Sequence, residues 1–312
     1  MSPPPPALAP ATGSCSRRTL LRWLPGLLPL AHARARAFVA TTFDQGLLWR
    51  IQRPGIAASH LFGTVHLDDA RVLEMPPAVH AALDEARVFL PELRADAESG
   101  RRFEAATQLP PGQSLRALSG EAAYPLIAAV LATRYGIAPA ATNRLKPWAA
   151  YLALEQPTRR QGEILDGKLQ RLAVQRGLPV VPLESLDEQI ASLEAVPLPS
   201  QLALFEASAR AHDEQLAAID ELLALYLAED LAGLWRLQRT VLVGQAPALR
   251  AAHDDLIEHL LLRRNARMVE RLLPHLRQGG AFAAMGALHL HGEQGLPARL
   301  ARLGWSVERR PA

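Results

Sequence analysis

Two segments of the same form, an apolar stretch followed by Gly-x-x-His, lie near opposite ends of the chain. The first is Gly63-Thr64-Val65-His66 and the second is Gly286-Ala287-Leu288-His289. Each pattern predicts a strand that runs into a loop bearing an imidazole. Because open α/β sheets bind ligands at the carboxyl ends of their strands, we expect His66 and His289 to converge on one site.

Strand-forming sequence occurs at both ends of the chain, and helix-forming sequence fills the middle. The predicted strands cover residues 47–52, 58–65, 88–90, 180–183, 281–285 and 305–308. The first two flank an Arg-Pro-Gly turn and predict a hairpin. Between the ends, apolar residues recur at helical spacing. The sequence therefore predicts an α/β fold in one domain, residues 38–312. Its central mixed β-sheet comes from the N- and C-terminal segments, is flanked by helices and carries a large helical insertion at about 97–278.

The first 37 residues differ from the rest and predict a signal peptide. Arg17-Arg18 forms a twin-arginine pattern, an apolar run follows at 23–30, and small-x-small triplets follow at 31–37. This order is typical of a cleaved secretory segment, and the paired arginines favour the Tat route over Sec. The run is shorter than the roughly 20 residues of a membrane span. We expect export, to the periplasm, with no stable membrane span after processing.

The charge balance excludes a basic nucleic-acid-binding surface. The sequence pI of 9.4 comes largely from the predicted signal peptide. Without its five arginines, the 34 basic residues fall to 29, against 31 acidic residues. No basic excess remains to attract nucleic acid. The single cysteine, Cys15, lies in the segment predicted to be removed, so a metal ion would have to be bound by His, Asp, Glu or water.

Four polar residues fall at predicted strand ends: His66, Glu92, Glu184 and His289. Imidazoles and carboxylates bind Mn²⁺, Fe²⁺, Co²⁺ or Zn²⁺, and they also perform acid–base catalysis without a metal. For either motif alone, a histidine that merely ends a strand is the simpler interpretation, whereas the whole set favours a shared site. A glycine three residues before each histidine would allow a close backbone approach or an unusual turn.

The other histidines are predicted to be structural or solvent-exposed. His60 falls inside a predicted strand, and His253 and His259 fall on a charged helix. His291 shares a face with His289 on an extended chain, so it is either a second ligand or, as we expect, exposed in the loop.

Arg264-Asn265 is unusual inside a predicted helix, because Asn is a mediocre helix former. The guanidinium would bind a substrate carboxylate or an oxyanion, or else form a surface ion pair.

Several further motifs occur in order over about residues 45–309. Besides the two Gly-x-x-His segments they include Pro76-Pro77-Ala78-Val79, Glu92, Lys146-Pro147-Trp148, Leu165-Asp166, Gly177-Leu178-Pro179-Val180, Leu183-Glu184-Ser185, Arg264-Asn265-Ala266-Arg267-Met268 and Gly304-Trp305-Ser306-Val307-Glu308. This series resembles the TraB/GumN family, which is related to the Tiki proteins. Two positions depart from the family pattern: Pro91 precedes Glu92 where an apolar strand residue is usual, and Ser185 stands where Thr is common.

The resemblance implies an α/β fold of the Tiki, erythromycin esterase and haem-binding ChaN type. Tiki proteins are regarded as divalent-metal-dependent proteases. The resemblance therefore nominates His66, Glu92 and His289 as ligands of a divalent metal (Mn, Co or Zn). It also nominates Glu92 with Glu184, Arg264 and Asn265 as candidate catalytic residues.

Three functions remain open from the sequence. The first is an exported metal-dependent hydrolase, a peptidase acting on a peptide or a small-molecule substrate. The second is a periplasmic binding protein for haem, a metal or a small ligand, without turnover. The third is metal-free ester hydrolysis with His66 as the base.

Overall fold

The structure is a computed structural model that describes residues 43–156, 162–243 and 247–311. These residues belong to one compact unit. The predicted signal peptide at 1–37 lies outside the described residues, so its boundary with the domain stays a prediction.

The apolar runs at the two ends of the chain form a five-stranded mixed sheet within the described residues. In chain order the strands are β1 (Leu48–Gln52), β2 (Ser59–Thr64), β3 (Val88–Pro91), β4 (Ala281–Gly286) and β5 (Ser306–Arg310). Their spatial order is β3-β4-β2-β1-β5. β2 and β3 each pair parallel with β4, whereas β1 pairs antiparallel with β2 and β5. The predicted α/β fold with a mixed sheet is confirmed.

Helices fill the described segments between β3 and β4, which confirms the predicted helical insertion. Two more helices lie between β2 and β3, and one follows β4. The helices are α1 (Ala70–Leu73), α2 (Pro77–Asp84), α3 (Ala97–Ala106), α4 (Leu115–Tyr135), α5 (Pro139–Thr142), α6 (Pro147–Leu154), α7 (Leu165–Gln175), α8 (Leu186–Glu194), α9 (Leu198–Arg210), α10 (His212–Ala217), α11 (Ile219–Leu227), α12 (Leu231–Val243), α13 (Pro247–Ile257), α14 (Arg263–Gln278) and α15 (Leu296–Arg302). A π-helical turn at Glu258–Leu262 joins α13 to α14, and a 3-10 turn at Ala287–Leu290 follows β4.

Local sequence explains where several helices begin and end. α8 begins with a capping box, in which the Ser185 hydroxyl accepts from the Glu188 backbone N–H and the Glu188 carboxylate accepts from the Ser185 N–H. Gly136 ends α4 in the left-handed conformation, with φ of 69°. Proline occupies the first turn of α2 and α6, where its missing N–H costs nothing.

The described residues form two main apolar cores, one between the sheet and the helices that cover it and one inside the helical insertion. The sheet core includes Phe89 and Phe282, whose stacked ring centroids lie 6.1 Å apart. A second core joins α4 to α6, α9 and α13 through residues such as Leu131 and Phe205. Because the three parallel strands are buried along their length, their carboxyl ends form a fixed platform for the residues that follow.

The strand predicted at residues 180–183 is only partly formed. Val180 makes an isolated parallel bridge with Phe89, and the backbone N–H groups of Val181 and Leu183 donate to carbonyls of β3. Pro91 of β3 has no N–H group to donate to the Val181 carbonyl, so the parallel ladder cannot continue past this bridge. The segment still runs beside β3 and brings Glu184 level with Glu92, since the Glu184 N–H donates to the Glu92 carbonyl over 2.9 Å.

Among the described helices, α4 has the length and apolar composition that would allow it to cross a membrane. Its chain breaks from helical geometry at Gly120 (φ 81°, ψ 164°). Tyr124, Ile127 and Leu131 are buried in the second core. The inward face of α4 is therefore accounted for by packing inside the insertion.

Candidate active site

The carboxyl ends of the three parallel strands meet at one edge of the sheet. In register, Thr64 of β2 pairs with Gly286 of β4, and Pro91 of β3 pairs with Ala284. The residues that follow these strands are His66, Glu92 and His289. The structure brings this set together: His289 Nε2 lies 3.5 Å from Glu92 Oε1, and His66 interacts electrostatically with both of them.

The two motif glycines serve different purposes. A Cβ on Gly63 would lie 2.9 Å from Leu290 Cδ1 and 3.0 Å from Ala287 Cα, so the first motif packs directly against the second. A Cβ on Gly286 would face Glu92 Oε1 at 3.4 Å. The predicted close backbone approach therefore occurs at Gly63, where a side chain would force the two strand ends apart.

His66 is held by a carboxylate from α7. Its Nδ1 lies 2.9 Å from Asp166 Oδ2, and Thr64 Oγ1 donates to Asp166 Oδ1 over 2.8 Å. The His66 side chain is 56% exposed and the Asp166 side chain is 24% exposed. An ionised carboxylate can only accept a hydrogen bond, so it favours the tautomer of His66 with the proton on Nδ1. A metal ion or a substrate proton would then be bound through Nε2.

His289 is held by an amide from α14. Asn265 Nδ2 donates to the Gln294 carbonyl over 2.9 Å, which fixes the amide and directs its Oδ1 to His289 Nδ1 at 2.5 Å. The imidazole must therefore donate from Nδ1, and Nε2 carries the lone pair. Burial is the main reason that the pKa of His289 falls to about 4, although the Glu92 charge opposes this shift. His289 is thus neutral at neutral pH.

Glu92 is the ionised group of the site. Its Oε2 accepts from Arg264 Nη2 over 2.6 Å and its Oε1 accepts from the Gly286 N–H over 2.5 Å. Burial alone would raise the pKa of this carboxyl, but the positive charge of Arg264 and the nearby imidazoles outweigh it. The net result is a pKa of about 2, so Glu92 is a carboxylate under all ordinary conditions.

Two arginines of α14 neutralise a second, deeper carboxylate. Glu184 is fully buried, and its Oε2 accepts from Arg264 Nε over 2.7 Å while its Oε1 accepts from Arg267. Arg264 also donates from Nη1 to the Leu260 carbonyl over 3.1 Å, so most of its N–H groups are engaged. Glu184 positions Arg264, and Arg264 in turn orients Glu92. The side chain of Arg264 is 8% exposed, so it does not form the surface ion pair considered from the sequence.

A cavity of about 440 Å³ opens over the strand ends. Polar residues of the site line one part of it, among them His66, Glu92, Arg264 and His289, and Tyr226 lies beside them with its hydroxyl donating to the Gly63 carbonyl. Glu184 does not line the cavity. A small molecule that enters would therefore meet Glu92 and the two histidines first.

Of two histidines outside the site that the sequence predicted to be exposed, His253 is buried and His291 is largely buried. His253 is 1% exposed and packs edge-on against Trp235, with ring centroids 6.4 Å apart. His291 Nδ1 lies 3.5 Å from Asp44 Oδ1, and its ring also contacts Trp235, with centroids 5.3 Å apart and the planes tilted by 37°. The 3-10 turn after β4 is the cause, because it replaces the extended chain assumed for His291. His60 lies buried within β2, as predicted.

The side chains of the site include donor types that bind divalent metals, but the described residues do not hold three ligands in place for one ion. No group of three or more His, Cys, Asp or Glu side chains within the described ranges is placed to bind a metal ion. Two donors do fit: His289 Nε2 and Glu92 Oε1, 3.5 Å apart, are both lone-pair atoms, and that separation is too long for a hydrogen bond. It matches two ligands of one tetrahedral ion with bonds of about 2.0–2.2 Å. Both histidines donate from Nδ1 to a side-chain oxygen, of Asp166 or of Asn265. Such a hydrogen bond is typical of histidines that bind a metal through Nε2.

The family of the chain follows from a comparison with family models. The model described as the TraB/PrgY/gumN family matches residues 47–309. The chain belongs to this family. Neither the curated proteins nor the solved structures include a significant match to it. The TraB/GumN resemblance inferred from the ordered motifs is therefore confirmed, over nearly the same span.

Three residues of this TraB/PrgY/gumN site were not nominated from the sequence: Thr64, Asp166 and Arg267. Leu165-Asp166 and Arg267 were present among the ordered motifs, and that is the signal that could have selected them. Their partners lie far away in the chain, however. Asp166 contacts His66 across 100 positions and Arg267 contacts Glu184 across 83, so only the fold reveals what each one does.

Proposed function

We propose that this chain is an exported, divalent-metal-dependent hydrolase that cleaves an amide bond, as a peptidase does. One observation carries the proposal. His289 Nε2 lies 3.5 Å from Glu92 Oε1, and both are lone-pair atoms when His289 is neutral and Glu92 is ionised. Two such atoms are stabilised by a cation that both can bind.

His66, Glu92 and His289 would hold the ion, and Asp166 and Asn265 would fix the two imidazoles. When bound, Mn²⁺, Co²⁺ or Zn²⁺ acts as a Lewis acid and brings the pKa of a water ligand to about 7. The side chain of His66 is the exposed member of the set, at 56%, and it follows β2 in a loop. We propose that His66 is the last of the three ligands to bind the ion, after His289 and Glu92.

The carboxylates have separate roles in this proposal. Glu92 lines the cavity beside the two histidines and is the carboxylate to which we assign the proton of a substrate water. Glu184 has no exposed surface and is paired with two arginines, so we assign it no proton transfer. Arg264 keeps Glu92 ionised and correctly oriented, and Asn265 keeps the lone pair of His289 on Nε2.

Peptide hydrolysis after metal removal tests the proposal. The chain starting at residue 38 is stripped with a chelator, and its cleavage of a mixture of tryptic peptides is followed by mass spectrometry as Mn²⁺, Co²⁺ or Zn²⁺ is added back. We expect cleavage to return with one of these ions, and to fall at least about 100-fold in His66→Ala and in His289→Ala.

The matched control is His80→Ala, a histidine of α2 that does not line the cavity. It should cleave like the wild type. Full activity in either site variant would contradict the proposal, and cleavage that survives the chelator would favour metal-free hydrolysis with His66 as the base.

Export is proposed from the basic, apolar and small-residue order of the first 37 residues alone. We expect the protein recovered from the extracytoplasmic fraction to begin near residue 38. Replacing Arg17 and Arg18 together by Lys should retain it in the cytoplasm if the Tat route is used, whereas normal export of that variant would indicate the Sec route.

A further inference from the structure

Aliphatic side chains of the helical insertion line much of the cavity. They come from α11, α12 and α13 and from the π-helical turn, and they include Ile219, Leu222, Leu234, Leu237, Leu256 and Leu261. None of these side chains carries a charge or a hydrogen-bonding group. This aliphatic wall therefore faces a centre that contains a carboxylate, a guanidinium and two imidazoles.

The π-helical turn places two consecutive leucines on the wall. Leu260 and Leu261 both line the cavity, and Arg264 lines it one turn later. The carbonyl of Leu260 accepts from Arg264 Nη1 over 3.1 Å, so the turn that supplies the wall also holds the arginine of the site. Single π-helical turns inside α-helices occur frequently at functional sites.

Some polar side chains elsewhere on the lining are engaged with one another. Gln215 Nε2 donates to Ser208 Oγ over 3.0 Å and to Glu155 Oε1 over 3.3 Å. Ser208 Oγ donates to the same Glu155 oxygen over 2.7 Å. The side-chain oxygens of Gln215 and Gln238, which also line the cavity, have no hydrogen-bond partner among the described residues. A ligand in this part of the cavity would therefore be recognised by its apolar surface, with these two oxygens free to accept from an amide N–H group at its polar end.

We propose that the aliphatic wall is a specificity subsite for a neutral aliphatic group attached to the scissile amide bond. The inference deepens the proposed function and depends on it only for the identity of the bond that is cleaved. The volume of about 440 Å³ is in the range of small-molecule sites, roughly 300–1,000 Å³. Water leaves the wall when such a group enters, and each buried methylene should tighten binding by about fourfold.

Binding of neutral amides, measured without turnover, tests the subsite. The probes are a series from propanamide to octanamide and the pair N-acetylalaninamide and N-acetylleucinamide, titrated by calorimetry into the His66→Ala/His289→Ala variant. We expect affinity to rise about threefold to fourfold per added methylene. A steeper rise in the alkanamide series would identify an acyl chain as the occupant, and a steeper rise in the amino-acid pair would identify a side chain.

Filling the cavity provides the second arm. Leu222→Trp fills part of the cavity beside the aliphatic wall. It should reduce the affinity for octanamide at least about tenfold and leave the affinity for propanamide nearly unchanged. Leu222→Ala should bind octanamide and preserve the rise with chain length. The matched control is Leu227→Trp on the same helix, at a side chain that is 46% exposed and does not line the cavity.

The outcomes separate the subsite from the proposed function. If affinity is independent of chain length in both probe series, or if Leu222→Trp and Leu227→Trp behave alike, the subsite is wrong even where metal-dependent cleavage is found. If affinity rises with chain length and Leu222→Trp removes the rise, the subsite stands even where no peptide is cleaved.

Discussion

The two Gly-x-x-His motifs have the same form in the sequence but lie in different surroundings. The side chain of His66 is 56% exposed and is held by the charged carboxylate of Asp166 on α7. The side chain of His289 is 6% exposed and is held by the neutral amide of Asn265 on α14. Both histidines follow parallel strands of one sheet, so the strands set their positions, while the helices of the insertion set their exposure and protonation.

This difference suggests a division of tasks. Two side chains hold the buried motif: Glu92 accepts from the Gly286 N–H, and Asn265 accepts from His289 Nδ1, while Arg264 in turn orients Glu92. The exposed motif is held by Asp166 of α7, and the same helix also contacts the end of α1, since Lys168 donates to the Leu73 carbonyl. We therefore expect a metal ion or a substrate to enter beside His66. We expect the stability of the fold to depend on the buried charges beside His289.

The largest effect on stability is expected from removing the positive charge of Arg264 beside the buried motif. Arg264→Met leaves Glu92 and Glu184 close together with one cation fewer, and it should lower the free energy of unfolding by about 3–5 kcal/mol. Urea denaturation of the metal-free protein measures this change.

The adjacent Arg263→Met is the matched control, because that side chain is 60% exposed and pairs with Glu258 at the surface. It should change the free energy of unfolding by less than about 1 kcal/mol. Equal effects at the two positions would contradict the claim that the network around Glu92 holds the buried motif.

The fold and the strand ends of the site could be predicted from the sequence. The strands β1 to β5 lie within a few residues of the predicted ranges, because apolar runs bounded by turn residues are a local signal. His66, Glu92 and His289 were found in the same way, as polar residues directly after such runs.

What the sequence could not provide was the environment of those residues. Asp166 reaches His66, and Arg267 reaches Glu184, only after a long helical insertion has folded back on the sheet. His253 lies on a charged helix, which predicts exposure, yet tertiary packing against Trp235 buries it. Burial and protonation depend on contacts between distant segments, and periodicity carries no information about them.

A second effect of similar type is expected from pH. The pKa of His289 in the fold is about 4, below the ordinary value of 6.5, so between these values the unfolded chain binds the proton more tightly. The metal-free protein should therefore lose stability as the pH falls from about 6.5 to 4, by on the order of 3 kcal/mol from this residue.

Other buried histidines shift in the same direction, for example His60 and His253, so the effect must be isolated by substitution. The difference in unfolding free energy between pH 7 and pH 4.5 should be smaller in His289→Asn than in the wild type. His66→Asn should not reduce that difference if the two motifs differ as described, and the same reduction in both variants would remove the distinction.

A smaller effect is expected from the exposed side. Asp166→Ala removes the carboxylate that orients His66 and should weaken metal binding, and with it kcat, by about tenfold to hundredfold. Stability should change little, since both side chains are partly exposed. The control Asp84→Ala, at the end of α2, removes a surface partner of Arg176, the residue that follows α7, and should leave metal affinity unchanged. Equal affinities in the two variants would count against a role for Asp166.

Calorimetric titration of Mn²⁺, Co²⁺ and Zn²⁺ into the chelator-stripped chain starting at residue 38 tests the central claim most directly. The account predicts saturable binding of about one ion per chain by at least one of these metals, since the two motifs would share a single ion. Binding should be lost in His66→Ala/His289→Ala and kept in the control His80→Ala/His259→Ala. If no metal binds saturably, or if the site variant binds as the wild type does, the two motifs do not form a metal centre and the account is wrong.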